Sequence, residues 1–216
     1  MNISRKQVVQ LLLVILAGAV FSFGLRHFGS IGTRLERSSV VEAVLRDPGA
    51  PRIDPAQADV TMVVFTDYQC PICRVSNRAM QKVLAEDRRV RVIFKDWPVF
   101  GKASQEAARV AIASDKQGIY AAVHDRLMQR SGPLDQAAMR SAVEAAGGNW
   151  PRLIDDLEQN GAQIDSLIAR NATQAFSLGL GGTPGYLIGP FLVRGGLNEG
   201  QFRKALNQAR DARNSN

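Results

Sequence analysis

Among its 216 residues the chain holds two cysteines, Cys70 and Cys73, spaced as C-P-I-C. Two thiols this close can form a small disulfide ring and reopen it by exchange. Exchange runs through the thiolate, so the pair is useful where one sulfur ionises near neutral pH. The neighbouring residues favour that. Val63-Val64-Phe65 reads as a buried strand ending at Asp67, and a helix pattern starts at about Pro71. Proline suits the first helical position, where its missing N–H costs nothing. Cys70 then caps the helix, and Cys73 lies about one turn further in. First-turn N–H groups lack intrahelical partners and the helix dipole is positive there, so both stabilise a thiolate at Cys70. The expected reaction follows. A substrate thiolate attacks the Cys70 sulfur of a Cys70–Cys73 disulfide, a second substrate thiol resolves the mixed disulfide, and the pair is left reduced.

Two other uses of the pair are weaker. A C-x-x-C is half of a structural zinc site, which wants four ligands. The chain has no third cysteine, and its histidines are His27 and His124. No metal is therefore expected. A purely structural bridge is also poor, because so short a loop removes little chain entropy.

The elements that must position the sulfurs can be read outward from them. Thr61 to Thr66 is a strand. Cys70 to Glu86 is a helix, with Val75, Ala79, Met80, Val83 and Leu84 at helical spacing. Val90, Val92 and Phe94 then alternate with Arg91, Ile93 and Lys95 as in a second strand. Asp67 and Lys95 end the two strands. In a parallel β-α-β unit these ends lie side by side near the helix start. A buried pair there would tune the thiolate and relay protons; two solvated strand ends are the alternative.

Residues of about 102–178 read as helical. Ser104 to Ser114, a segment marked by Tyr120, Val123, Leu127 and Met128, and Asp135 to Ala146 make three helices. Trp150-Pro151 opens a short fourth, and Ile164 to Leu178 makes a fifth. His124 has no cysteine or acid placed in sequence to pair with it and reads as a surface or packing residue. Gly181-Gly182-Thr183-Pro184-Gly185 is a turn cluster. Tyr186–Ile188 and Phe191–Arg194 form a hairpin around Gly189-Pro190. Asn198 with Gln201 suits a capping box ahead of a last helix.

Composition is that of a folded chain, 45% hydrophobic and 22% charged. Of the net charge of +7, Arg5, Lys6 and Arg26 flank the N-terminal apolar run, leaving about +4 elsewhere. No basic stripe with interleaved aromatics occurs, so nucleic acid is not an expected partner. Residues 1–26 read as a targeting segment, either signal peptide or signal anchor. Ala17-Gly18-Ala19 resembles a cleavage site, but cutting there would leave Val20-Phe21-Ser22-Phe23 at the new terminus. The apolar run is close to the roughly 20 residues of a spanning helix, which favours an anchor. Either fate exports the rest. Residues 27–60 are a connector with a short helix at Glu36 to Arg46, stopped by Asp47-Pro48-Gly49-Ala50-Pro51. Its length favours a helix lying on the domain over an oligomerisation stalk.

FTDYQCPIC, then a helical block, then GGTPGYLIG resembles the DsbA-like branch of the thioredoxin superfamily over about residues 47–213. The pairing of C-P-x-C with a distant G-T-P is far more specific than either motif. The resemblance implies an α/β, thioredoxin-like fold over 61–216 with an inserted helical domain at about 102–178. It implies that Cys70 is the exposed nucleophile and Cys73 the buried resolving cysteine. Thr183-Pro184 matches the cis-proline loop against the sulfurs, where the backbone before the proline pairs with an extended substrate chain. No cofactor beyond the Cys70–Cys73 disulfide is implied. The implied partners are exported, cysteine-containing polypeptides and a quinone-linked membrane redox partner, on the periplasmic side of the bacterial inner membrane. Two departures matter. Ile72 stands where strongly oxidising members have histidine, and Thr183 where they have valine. Cys70 is therefore expected between a thioredoxin cysteine, at about 7, and that of DsbA, at about 3.5. Three functions fit: a disulfide-forming oxidoreductase, an isomerase or reductase kept reduced by a membrane donor, and a non-catalytic, membrane-tethered peptide-binding module.

Overall fold

The computed structural model describes residues 29–214 and, before them, Lys6, Gln10, Val14–Leu16 and Gly18. Most of the expected targeting segment lies outside the described residues. Among the described residues no helix is long and apolar enough to cross a membrane. The chain divides into units 1–30 and 31–216, and both cysteines belong to the second.

That unit runs β1 (Thr33–Arg34), α1 (Ser39–Leu45), β2 (Arg52–Ile53), β3 (Val60–Thr66), α2 (Pro71–Glu86), β4 (Val90–Asp96), α3 (Lys102–Ser114), α4 (Tyr120–Gln129), α5 (Gln136–Ala145), α6 (Trp150–Ser177), β5 (Gly185–Ile188), β6 (Phe191–Arg194) and α7 (Glu199–Asn214). The strands form one sheet in the order β1-β6-β5-β3-β4-β2. β3 and β4 are parallel and central, and the other pairings are antiparallel. Alternation along β3 and β4 sends Met62, Val64, Val92 and Phe94 to one face, where the cysteines and the inserted helices pack. Val63, Phe65 and Ile93 go to the other, beneath α1 and the end of α6. Both faces are covered, which is why these strands read as near-continuous apolar runs.

The connector is built into this sheet. Its two short strands form the sheet's outer edges, β1 on β6 and β2 on β4. Between them α1, capped by Ser38, buries Val41 and Val44. The helical block differs from its expected outline at one point. The fourth and fifth helices are one helix, α6, of 28 residues. Gly161 interrupts its apolar pattern at a cost of about 1 kcal/mol relative to alanine. A Cβ there would come within 2.9 Å of the Arg109 guanidinium. The glycine therefore makes room for Arg109 of α3, which ion-pairs with Asp165 on α6. Helix α6 ends in a paired turn: Gly179 N–H donates to Phe176 O at 2.9 Å, and Leu180 N–H to Ala175 O at 3.0 Å. Gly179 takes the left-handed φ of +80° that this turn needs. It directs the chain into the Gly181–Gly185 loop. Helix α7 opens with the expected reciprocal box, Asn198 and Gln201 bonding each other's backbone N–H at 2.9 Å.

Lys95 is fully buried on the second face. Its Nζ lies 2.6 Å from Asp47 Oδ2, and Asp47 also accepts two bonds from Arg170 at 3.0 Å. Burial alone would raise the Asp47 carboxyl; the Arg170 and Lys95 bonds outweigh it and hold it at about 2. This cluster fastens the connector to β4 and α6. Asp47→Ala should strand a buried ammonium and cost about 3–5 kcal/mol in urea unfolding. Lys95→Met in that background should recover most of the loss.

Candidate active site

β3 ends at Thr66, four residues turn the chain, and α2 starts at Pro71. Cys70 is the cap of α2: its sulfur accepts the Cys73 N–H at 3.3 Å. From above, the Cys70 thiol donates to the Thr183 carbonyl oxygen at 3.4 Å. The Thr183–Pro184 peptide is cis. Both cysteines are free thiols, and both are buried. Cys70 is only 2% exposed, so the open nucleophile implied by resemblance is in fact closely covered. The Thr183 loop lies over it, and the exposed residues of the turn are its neighbours Pro71 and Ile72.

The surroundings make the two sulfurs unequal. The Cys73 thiol hydrogen-bonds to Cys70 and favours its thiolate. Burial opposes this, while the Cys73 and Ile72 N–H groups assist, and together they bring Cys70 down to about 6. Cys73 is pushed well up, because its proton is held by Cys70 and because it is buried. Of the two residues between the cysteines, Ile72 contributes its backbone N–H, and Pro71 is the first residue of α2. The Thr183 Oγ1 atom is buried and has no hydrogen-bond partner among the described residues.

Asp67 and Lys95, expected as a possible buried pair, are both buried but do not meet. Lys95 registers with Phe65 and follows it to the face away from the cysteines. Asp67 lies beyond the end of β3 and turns back under the loop after β4. Its Oδ1 accepts from Gln69 N at 2.7 Å and Ser104 Oγ at 2.6 Å. Its Oδ2 accepts from Val99 N at 2.6 Å and Phe100 N at 3.0 Å. The acid beside it is Asp96, which sequence reading passed over by ending the strand at Lys95. One more step of alternation puts Asp96 on the face of Phe94. Burial raises the Asp96 carboxyl to about 7; bonds from Tyr120 and Tyr68 oppose the rise, and the charge of Asp67 adds to it.

Asp96 opens a buried polar network. Tyr120 donates to it at 2.9 Å, and Tyr120 OH lies 3.5 Å from Tyr68 OH. Tyr68 OH is 2.9 Å from His124 Nδ1, and His124 Nε2 is 3.3 Å from Asn77 Oδ1. His124 is therefore a packing histidine, held at about 3 by burial and neutral. It joins Tyr68, two residues before Cys70, to Asn77, one turn after Cys73.

Residues 61–207 match the DSBA-like thioredoxin domain. The chain belongs to this family. Its solved relatives include a thioredoxin-like oxidoreductase from Silicibacter pomeroyi, 33% identical, with a TM-score of 0.73 over 79% of this chain and 97% of that one. The thiol-disulfide exchange protein alpha-DsbA2 from Wolbachia pipientis is 26% identical, TM-score 0.73, over 79% and 92%. A periplasmic thioredoxin-like protein from Salmonella enterica serovar Typhimurium is 25% identical, TM-score 0.69, over 82% and 99%. The chain spans about a fifth of the length of the curated relatives it matches. One is a Na(+)/H(+) antiporter NhaA from Salinispora arenicola, 27% identical over 68% of this chain and 22% of that protein. The DSBA-like domain here thus has the family's mixed sheet and an inserted helical layer.

Thiolate absorbance of the reduced protein should titrate with a midpoint near 6 and report one thiolate, not two. The Cys70 value lies below its ordinary 9.0, so its contribution to the stability of the reduced protein is full above about pH 9 and is lost as pH falls through about 6. Asp96 has the opposite sign. Its value is raised from 3.8 to about 7, so its contribution is full below about pH 4 and is lost as pH rises through about 7. Asp96→Asn should remove that second slope from urea melts of the oxidised protein.

Proposed function

We propose that the protein is a thiol:disulfide oxidoreductase that forms disulfides in exported polypeptides through Cys70 and Cys73. The observation that carries this reading is the Cys73 N–H bonded to the Cys70 sulfur at the start of α2. In the oxidised form a substrate thiolate attacks Cys70 Sγ. The Cys70–Cys73 bond breaks, and Cys73 leaves with the electron pair and takes up a proton. A second substrate thiolate then attacks the substrate sulfur of the mixed disulfide. Cys70 leaves as a thiolate, the form its surroundings favour. The substrate loses two electrons and two protons; the protein gains both electrons and one proton, as a Cys73 thiol beside a Cys70 thiolate, and the other proton goes to solvent. Renewal needs an electron acceptor; family likeness suggests a quinone-linked membrane protein. The Salmonella relative supports a periplasmic setting, and attachment to the membrane rests on the apolar run before residue 27.

One observation favours a second reading, an isomerase or reductase. The Cys70 thiol donates to the Thr183 carbonyl oxygen, a bond that favours the neutral thiol; in keeping with it, Cys70 at about 6 lies nearer a thioredoxin cysteine, at about 7, than that of DsbA, at about 3.5. The reduction potential discriminates. A disulfide-forming enzyme should equilibrate with glutathione at a potential well above about −200 mV, toward the −120 mV or so of DsbA; a value near −270 mV moves the protein to the reductase reading. Cys73→Ser should trap mixed disulfides through Cys70, and Cys70→Ser should trap none. Trapping through Cys73 alone would overturn the assignment of the attacked sulfur.

A further inference from the structure

One buried side chain, Ser76, ties the helix that starts at Cys70 to the strand that follows Pro184. It stands on α2 about one turn past Cys73 and is 1% exposed. Its hydroxyl donates to Leu197 O at 3.0 Å and accepts the Leu197 N–H at 2.8 Å. It also accepts the Tyr186 hydroxyl at 2.7 Å. A serine hydroxyl has one donor and two acceptor positions, so all three are used.

Each partner belongs to a different segment around the cysteines. Tyr186 is on β5, two residues after the cis Thr183–Pro184 peptide. Its register with Val64 places it on the face of the cysteines, and its ring meets Phe202 of α7 edge-on at 5.2 Å. Burial raises its phenol and the Ser76 bond opposes the rise. The charges of Cys73 and Cys70 add to it, so the hydroxyl lies within the field of both sulfurs. Leu197 follows the Gly195-Gly196 turn, where Gly195 N–H donates to Pro184 O at 2.9 Å. A Cβ on Gly196 would come within 2.6 Å of Ile72 Cγ2, so this turn lies close against the start of α2.

These contacts close a ring. It runs from Cys70 along α2 to Ser76, across to Tyr186, along β5 to Pro184, and from the Thr183 carbonyl back to the Cys70 sulfur at 3.4 Å. The last link is the weakest, because a thiol is a poor donor. The other links hold it in place. Resting on the exchange reading above, we propose that Ser76 is a positioning residue: it locks β5 and the 195–197 turn onto α2 and so keeps the Thr183 carbonyl over the Cys70 sulfur. A carbonyl oxygen there suits a neutral thiol and repels a thiolate. Ser76 thus restrains both the ionisation of Cys70 and its presentation to a substrate thiolate.

The test follows alkylation of the reduced full-length protein by iodoacetamide as a function of pH, with the modified cysteine identified by peptide mass. The unaltered protein should react at Cys70 with a midpoint near 6. Tyr186→Phe keeps the ring on Phe202 and removes one bond; Ser76→Ala removes all three. Both should lower the midpoint, Ser76→Ala by at least about half a pH unit, or roughly threefold in the thiol–thiolate ratio. The limiting rate should rise as well, because Cys70 is uncovered. The double variant should match Ser76→Ala, since both changes act through one hydroxyl. General damage has the opposite sign: a loosened helix start takes N–H groups from the thiolate and moves the midpoint up toward 9.0. Val83→Ala, a buried change farther along α2, should leave the midpoint in place or raise it. If Ser76→Ala does not fold, the sign of the change in Tyr186→Phe decides alone. A midpoint that stays or rises in the Ser76 and Tyr186 variants, or an equal fall in Val83→Ala, overturns the proposal. A midpoint near 9.0 in the unaltered protein overturns the exchange reading itself, and Ser76 then has no reaction to serve.

Discussion

The hydrogen bond from Cys73 N–H to Cys70 Sγ is the constraint on which the rest of the site depends. It makes a sulfur the cap of a helix, where oxygen-bearing side chains usually serve. The first-turn N–H groups that any helix leaves unpaired become the counter-charge of the thiolate. This works only if the sulfur is held in place, because a thiol on a mobile turn would find water instead. Its own turn and two segments distant in sequence hold it. Asp67 O accepts the Cys70 N–H at 3.2 Å from the same turn. The Asp67 carboxylate ties that turn to the loop after β4. The Thr183 carbonyl closes over the top.

The sheet carries two polar networks on its opposite faces, and they differ in kind. Asp47, Lys95 and Arg170 form an ion cluster that locks the connector down; removing Asp47 leaves the Lys95 ammonium buried alone. Tyr68, His124, Tyr120 and Asp96 form an essentially neutral network at low pH, with one acid able to ionise near neutrality. The first is structural and far from the sulfurs. The second connects both ends of the cysteine motif to α4 of the inserted layer, so that layer braces the site. Tyr68 and Asn77 belong to the cysteine turn and α2, yet their buried partner His124 comes from the insertion.

What could be read from sequence was local. Pro71, the two cysteines and the strand before them lie within about a dozen residues, and their preferences agree. The Asn198–Gln201 box and the Gly189-Pro190 hairpin are legible for the same reason. What could not be read depended on side-chain parity or on a partner far away in the chain. Lys95 lies one residue inside the end of β4 and Asp67 one residue beyond β3, and one residue of alternation separates facing the sulfurs from facing Asp47. Asp96 was hidden by the same parity. The unbroken course of α6 past Gly161 depends on Arg109, some fifty residues earlier, filling the space that a side chain would occupy. The edge strands of the connector are two residues each, too short to show a period, and exist because the sheet offers them an edge.

The inequality of the two sulfurs matters more than the ionisation of either. A pair with both thiols equally acidic would release electrons in either direction through either atom. Here the dithiol stores one proton on Cys73 and shares it with Cys70, so the attacked sulfur and the departing thiolate of the second step are the same atom. Ile72 offers no side-chain charge to deepen this asymmetry, and the bond from the Cys70 thiol to the Thr183 carbonyl softens it. The backbone N–H groups and the shared proton remain as the main sources of bias. They depend on the helix start and the closeness of the cysteines, both of which the C-P-I-C spacing imposes. On the proposed reading, the identity of residues 72 and 183 then adjusts how far the pair favours its reduced form, without changing which sulfur leads.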